Sequence, residues 1–170
     1  MNIGLLLLRL TVGLTIAAHC LQKLFGWFGG PGLSGTGQFF TTLGFPPGRR
    51  HAFMAGVTET IGGLMLALGL GTPLAAAAAI SVMLVAIFSV HFQKGFFAQN
   101  GGYEYNLVLA IAALSLAFTG PGSLSIDALL SYSYEGWFWD PAAFVIAVLV
   151  GTVPLLQRKA APAAEITSIK

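Results

Sequence analysis

Five apolar runs fill most of the chain, at 3–21, 52–70, 74–92, 103–119 and 141–156, and within them only Arg9, Glu59 and Glu104 carry a full charge. Charged residues make up 8% of the chain, against about 25% in ordinary soluble domains. A soluble fold cannot clothe its surface with so few. Lipid removes that demand, because hydrocarbon replaces water around the waist of the protein and every backbone polar group is paired inside a helix. Crossing the hydrocarbon takes about 20 mostly apolar residues. The runs therefore predict an all-α, polytopic transmembrane helical bundle with four core spans at 3–21, 52–70, 74–92 and 103–119. A fifth span is expected at 141–156; it is shorter, and Pro154 weakens its end. Trp137, Phe138 and Trp139 stand before it, where an interfacial aromatic belt belongs.

The start of the chain has no basic region of the kind that opens a cleaved signal, so 3–21 reads as a retained helix. Gly69-Leu70-Gly71-Thr72-Pro73 reads as a tight turn between spans two and three. The stretch 25–51 mixes glycines with Phe25, Trp27, Phe28, Phe39, Phe40 and Phe45. A water-exposed linker carries few aromatics, so this stretch is expected to be re-entrant or interfacial, with a short helix near 37–43. Residues 125–130 suggest another interfacial turn, and the tail 160–170 reads as disordered.

With five crossings, Lys23, Arg49, Arg50, Lys94, Arg158, Lys159 and Lys170 fall on one side, and Asp127, Glu135 and Asp140 on the other. The positive-inside rule then places the N-terminus outside and the C-terminus in the cytoplasm. The net charge of +2 makes no case for nucleic acid, and the partner to expect is the bilayer itself. The single cysteine, Cys20, reads as a small packing residue.

Ionisable groups inside lipid cost roughly 2.5–3.5 kcal/mol each on insertion scales, so each calls for a partner or a purpose. At a rise of about 1.5 Å per residue, Glu59 lies roughly 10 Å and Arg9 roughly 18 Å from the basic end. His19, His91 and Glu104 lie near that boundary. These groups are expected to form a column, with Arg9 above Glu59 and the histidines and Glu104 below. A buried carboxylate beside a histidine suits proton handling. Glu59, His19 and His91 are the candidate catalytic residues, and Arg9, Lys23, Glu104 and Asn106 the candidate cofactor-binding ones. The structural alternative is an interhelical salt bridge that fixes packing, with Lys23 and Lys94 as headgroup anchors. No set of His and Cys has metal-ligand spacing. The cofactor stays open, with a quinone as the candidate. A weak internal echo, His19-Cys20-Leu21-Gln22-Lys23 against His91-Phe92-Gln93-Lys94, suggests parallel helix hairpins and keeps a small-molecule or lipid transporter among the readings.

Several motifs in order resemble the DoxX family of bacterial membrane proteins. They are Leu8-Arg9-Leu10 with Gly13 and His19, then 22–32 (QKLFGWFGGPG), and Gly56 to Gly63 around Glu59. Leu68-Gly69-Leu70, His91 with Gly95-Phe96-Phe97, 101–106 (GGYEYN) and Gly120-Pro121-Gly122 with Asp127 complete the set. The resemblance covers Ile3 to Leu130 and implies a four-helix membrane domain at 1–130, with an added span within 131–159. It also implies a multi-pass protein of the bacterial inner membrane, serving a quinone-linked or thiol-linked oxidoreductase or oxidative-stress system. The alternative it implies is a non-catalytic scaffold that docks partner oxidoreductase proteins at the membrane.

Overall fold

The structure is a computed structural model that describes residues 2–132, 134 and 138–159. It is all-helical among those residues, in chain order α1 (Asn2–Phe25), α2 (Gly32–Thr42), α3 (Gly48–Leu68), α4 (Thr72–Ala86), α5 (Glu104–Thr119), α6 (Ile126–Leu129) and α7 (Trp139–Leu156). α4 runs on through a π-helical turn at Ile87–His91 and a 3-10 turn at Phe92–Lys94. Among the described residues, three helices are long and apolar enough to cross a membrane: Asn2–Phe25, Gly48–Leu68 and Thr72–Lys94. α5, of 16 residues, and the segment Pro141–Leu156 are apolar but shorter. Glu135, Trp137, Lys170, the side chain of Asp140 and the tail 160–170 lie outside what is described.

α1 lies against α3, and α4 sits centrally with α3, α5 and α7 around it. Lipid supplies no hydrophobic drive to press such helices together, so close approach relies on small residues. At the α1–α3 crossing Gly13 faces Gly63; a Cβ on Gly63 would fall 2.6 Å from the Gly13 carbonyl oxygen. Buried Ala75, Ala76 and Ala79 line α4, and Ala143 and Ala147 of α7 join the same core.

α2 begins five residues before the expected 37–43 helix. Gly37, at the start of the expected helix, is a contact point inside the observed one. A Cβ there would come within 2.9 Å of Arg49 Cα, so the missing side chain lets α2 lie flat on α3. Thr36 Oγ1 donates to the Lys23 carbonyl at 3.2 Å and ties α2 back to α1.

The opposite end is built around Asp127, which caps α4. Gly69 (φ 65°) and Gly71 (φ 54°) take the left-handed conformation that ends α3 and turns the chain. Asp127, buried in the expected 125–130 turn, accepts from the Gly71 N–H at 2.8 Å, the Thr72 N–H at 3.1 Å and the Thr72 hydroxyl at 2.9 Å. A carboxylate there also opposes the positive end of the α4 dipole. Asp127→Ala strands these donors, and with charged hydrogen bonds worth about 1.5–3 kcal/mol each and not additive, a loss of about 3 kcal/mol is expected. Thermal unfolding in detergent checks this; an unchanged Tm would refute the cap.

Candidate functional site

Side chains on a helix lean toward its N-terminus. α1 and α3 share an antiparallel crossing, so Lys23, near the end of α1, leans into the bundle, while Glu59 leans toward the basic end. They meet: Lys23 Nζ donates to Glu59 Oε1 at 2.5 Å. Glu59 is only 1% exposed, whereas Lys23 keeps 29% of its side-chain surface. The second carboxylate oxygen, Oε2, is buried and has no hydrogen-bond partner.

The same lean takes Arg9 the other way, toward the start of α1. Its Nη2 donates to the Leu124 carbonyl at 2.5 Å, beneath the Gly69 turn. Gly69 lies ten residues beyond Glu59 on α3, about 15 Å along the axis. The expected column is therefore not formed: Arg9 is fully buried at the Asp127 end and Lys23 takes the place beside Glu59. Glu104 also lies apart. Its Oε2 accepts from the Ala98 N–H at 2.9 Å and holds the loop before α5.

Glu59, Lys23, His19, His91 and Asn106 all line one cavity of about 1160 Å³ at the basic end of the bundle. Walls come from α1, α2, α3, α4 with its π-turn, α5 and α7, and most of the lining is aliphatic or aromatic. Ligand pockets usually measure roughly 300–1,000 Å³, so there is room for a ring and part of a tail. All three histidines of the chain, His19, His51 and His91, line it.

Each polar group on the wall is placed by its element. His19 Nε2 meets the Tyr105 hydroxyl at 3.0 Å across the α1–α5 gap. His91 Nδ1 lies 2.6 Å from the Gly101 carbonyl oxygen. Asn106 Nδ2 donates to Met83 Sδ at 3.5 Å, a weak partner. Ser89, in the π-turn, has a buried hydroxyl with no partner. Ala86 and His91 both face the cavity although five residues apart. On an α-helix at 3.6 residues per turn that spacing puts side chains about 140° apart; the π-turn brings them onto one face.

Tyr105, Ser89 and His51 were not singled out in the sequence. Tyr105 sits inside the 101–106 motif, next to Glu104 and Asn106, which was the one available signal. Cys20 is fully buried and its sulfur lies 2.5 Å from Thr60 Oγ1, as suits a packing residue.

The arrangement offers a large, mostly apolar cavity with a carboxylate–ammonium pair and imidazoles on its walls. Such groups bind and move protons; among the described residues no cluster of His, Cys, Asp or Glu is set to hold a metal ion.

Comparison with known proteins bears on the fold and on the company the chain keeps. The DoxX family model matches residues 4–92. CatD of Bacillus subtilis (strain 168), named as a candidate oxidoreductase, is 31% identical over 126 residues, which are 74% of this chain and 86% of CatD. The inner membrane protein YqjF of Escherichia coli (strain K12) is 31% identical over 128 residues, 71% of this chain and 93% of YqjF. The uncharacterised membrane protein Rv3486 of Mycobacterium tuberculosis (strain ATCC 25618 / H37Rv) is 29% identical over 134 residues, 73% of this chain and 79% of Rv3486. No solved structure matches the chain. With more than half its length under the family model and relatives covered nearly end to end, the chain is a membrane protein and belongs to the DoxX family.

Proposed function

We propose that the chain is the membrane subunit of a quinone-linked oxidoreductase system, and that the Glu59 cavity holds the ring of a lipid-soluble quinone. The observation that carries this is the unpartnered Glu59 Oε2, held 1% exposed on the wall of an apolar chamber. A quinone ring takes up two electrons and two protons to become a hydroquinone, so its site needs proton carriers within reach of the ring. Glu59 and His91 are the groups that exchange those protons, with the His19–Tyr105 pair as a third polar contact. Lys23 orients the carboxylate and keeps it in place. Electrons come from a partner oxidoreductase that draws them from a thiol; CatD's name is the point of contact with redox chemistry.

In this reading α5 and α7 cross the membrane as well. The Arg158 guanidinium donates to the Leu43 carbonyl at 2.7 Å and the Lys159 N–H to the Gly44 carbonyl at 2.8 Å, which returns α7 to the end that carries Lys23 and Arg49. That basic end faces the cytoplasm of a bacterial inner membrane. A reporter fused to the C-terminus and active only in the cytoplasm should be active; silence there would reverse the orientation.

The deciding experiment is extraction. The full chain purified from bacterial membranes into lipid nanodiscs is expected to release about one isoprenoid quinone per protein into organic solvent. A quinone content equal to that of nanodiscs without protein would defeat the proposal.

A second reading has its own observation. Phe25, Trp27 and Phe28 are 64%, 57% and 72% exposed beside the α1–α2 turn, a surface able to dock a partner protein. Crosslinks to a partner that vanish in Trp27→Ala, with redox turnover indifferent to Glu59→Gln, would favour a scaffold.

A further inference from the structure

One side of the cavity lies between two helices that do not pack on each other. α3 and α4 meet at Gly62, where a Cβ would lie 2.9 Å from Ala78 Cβ. Toward the basic end they part: α3 lines the cavity with residues from His51 to Glu59, short of that contact, and α4 lines it from Ser81 onward. α7 runs beside α4, seated by Gly151, where a Cβ would lie 3.1 Å from the Ser81 carbonyl oxygen. α3 and α7 both flank α4, yet they share no packed interface. Their ends are tied instead, through Arg158 and Lys159 to the carbonyls of Leu43 and Gly44. Met54 on α3, with Val150 and Val153 on α7, lines the cavity and is half-exposed, as they are. At about 1.5 Å per residue, Met54 lies roughly 9 Å from the start of α3, and Val153 and Val150 roughly 7.5 and 12 Å from Arg158. The three share a depth. The other exposed lining residues, Pro31, Phe39, Ala98, Tyr105 and Gln157, lie around α2, before and within the first turn of α5, and at the foot of α7, all at the basic end.

The lip of this cleft is cationic. Arg49 and Arg50 open α3, Arg158 and Lys159 follow α7, and all four are exposed. The Arg158 guanidinium donates through Nε to the Leu43 carbonyl and lies 5.9 Å from the centre of the Phe45 ring, which also packs against His51 of α3. Among the described residues no carboxylate pairs with any of the four. The carboxylates at this end are engaged, Glu59 with Lys23 and Glu104 with the Ala98 N–H. The basic end therefore sets Lys23, Arg49, Arg50, Lys94, Arg158 and Lys159 against Glu59 and Glu104, and the tail adds Glu165 and Lys170, one of each sign.

We infer that the α3–α7 cleft is a binding site for one anionic phospholipid of the surrounding leaflet. One acyl chain lies between the two helices against Met54, Val150 and Val153. The phosphate rests on the Arg158 fork and the Lys159 ammonium, with Arg49 and Arg50 adding to the field. A guanidinium matches phosphate oxygens two at a time, and basic pockets between membrane helices collect anionic headgroups. Phosphatidylethanolamine offers the same phosphate, but its own ammonium offsets it, so net negative charge is what the lip selects. The lipid supplies the contact that α3 and α7 lack and becomes part of the cavity wall. It does not take the place of a ring at Glu59, which lies five residues beyond Met54 on α3, about 7.5 Å deeper. The lipid site stands whether or not the deeper site holds a quinone.

The test titrates dioleoylphosphatidylglycerol and dioleoylphosphatidylethanolamine into the delipidated full chain in detergent, read by native mass spectrometry. One phosphatidylglycerol per protein is expected to bind about tenfold more tightly than phosphatidylethanolamine. Lys159→Gln, which leaves the backbone bond to Gly44 in place, is expected to lower that preference several-fold, whereas Lys94→Gln at the same end should leave it unchanged. Val153→Trp, which fills the cleft, is expected to remove the tightly bound lipid. Equal affinity for the two lipids in the wild type overturns the inference outright, and needs no variant to fold. An equal fall in Lys159→Gln and Lys94→Gln, or full binding to Val153→Trp, also overturns it, because a diffuse surface field would then explain the preference. No quinone enters these measurements, so failure here leaves the reading of the Glu59 site untouched.

Discussion

Thiol-dependent quinone reduction in membrane vesicles should fall about 100-fold when Glu59 is replaced by Gln, the usual worth of one placed proton carrier. The substitution keeps the shape of the side chain and removes its ability to take up and release a proton. Lys23 loses its charge partner, but with 29% of its side-chain surface exposed it can turn toward the headgroups and hydrate. Assembly should therefore survive, and immunoblots should find the variant at wild-type amount. A rate within twofold of wild type would take Glu59 out of the chemistry and leave the Lys23–Glu59 pair as a packing device. Glu59→Asp keeps the carboxylate but draws it back by one methylene, and an intermediate rate is expected.

The largest effect on stability is expected at the α1–α3 crossing. A Cβ on Gly63 would lie 2.6 Å from the Gly13 carbonyl oxygen and 2.9 Å from the Ala17 backbone nitrogen, and both neighbours are backbone that cannot rotate aside. Gly63→Val must push two helices apart along their length, at a cost of about 3 kcal/mol or more. The helices bear Lys23 and Glu59, so the same change should also part the ion pair. Gly4 is the control, because nothing lies within 4 Å of a Cβ built there and the residue is exposed. Gly4→Val should shift stability by no more than about 0.5 kcal/mol. Thermal denaturation in detergent, followed by near-ultraviolet dichroism, measures both. A Gly63→Val protein as stable as wild type would mean that the two helices do not touch there.

Hydropathy made the helices legible, since no other structure tolerates such runs of Leu, Ala and Ile in lipid. The turn at Gly69–Pro73 was equally plain, because two glycines and a proline punctuate it. What sequence depth alone misplaced was the polar pairing. Counting residues sets a Cα at a level, and by that count Arg9 and Glu59 were neighbours. Side-chain lean then adds or subtracts several ångströms at each end, drawing Arg9 away toward Leu124 and bringing Lys23 to Glu59. The segment Ile87–His91 has no Pro or Gly to mark its π-helical turn, so the facing of Ser89 and His91 was not readable from spacing. The α2 glycines were visible but ambiguous: Gly37 looks the same in a sequence whether it ends a helix or seats one against a neighbour. His19, His91, Lys23, Asn106 and Glu59 do share a cavity, and Arg9 and Glu104 do not.

One wall of that cavity comes from α7, through Val150, Gly151, Val153, Pro154 and Gln157. Membrane helices enter the bilayer in the order in which the ribosome delivers them. A nascent chain that has threaded only its earlier helices carries an open trough along α4, flooded by acyl chains. This wall is completed when α7 docks and Arg158 and Lys159, just beyond it, bond to the carbonyls of Leu43 and Gly44. Acyl chains lying in that trough must leave or be trapped when α7 docks, so translation itself times the completion of this wall.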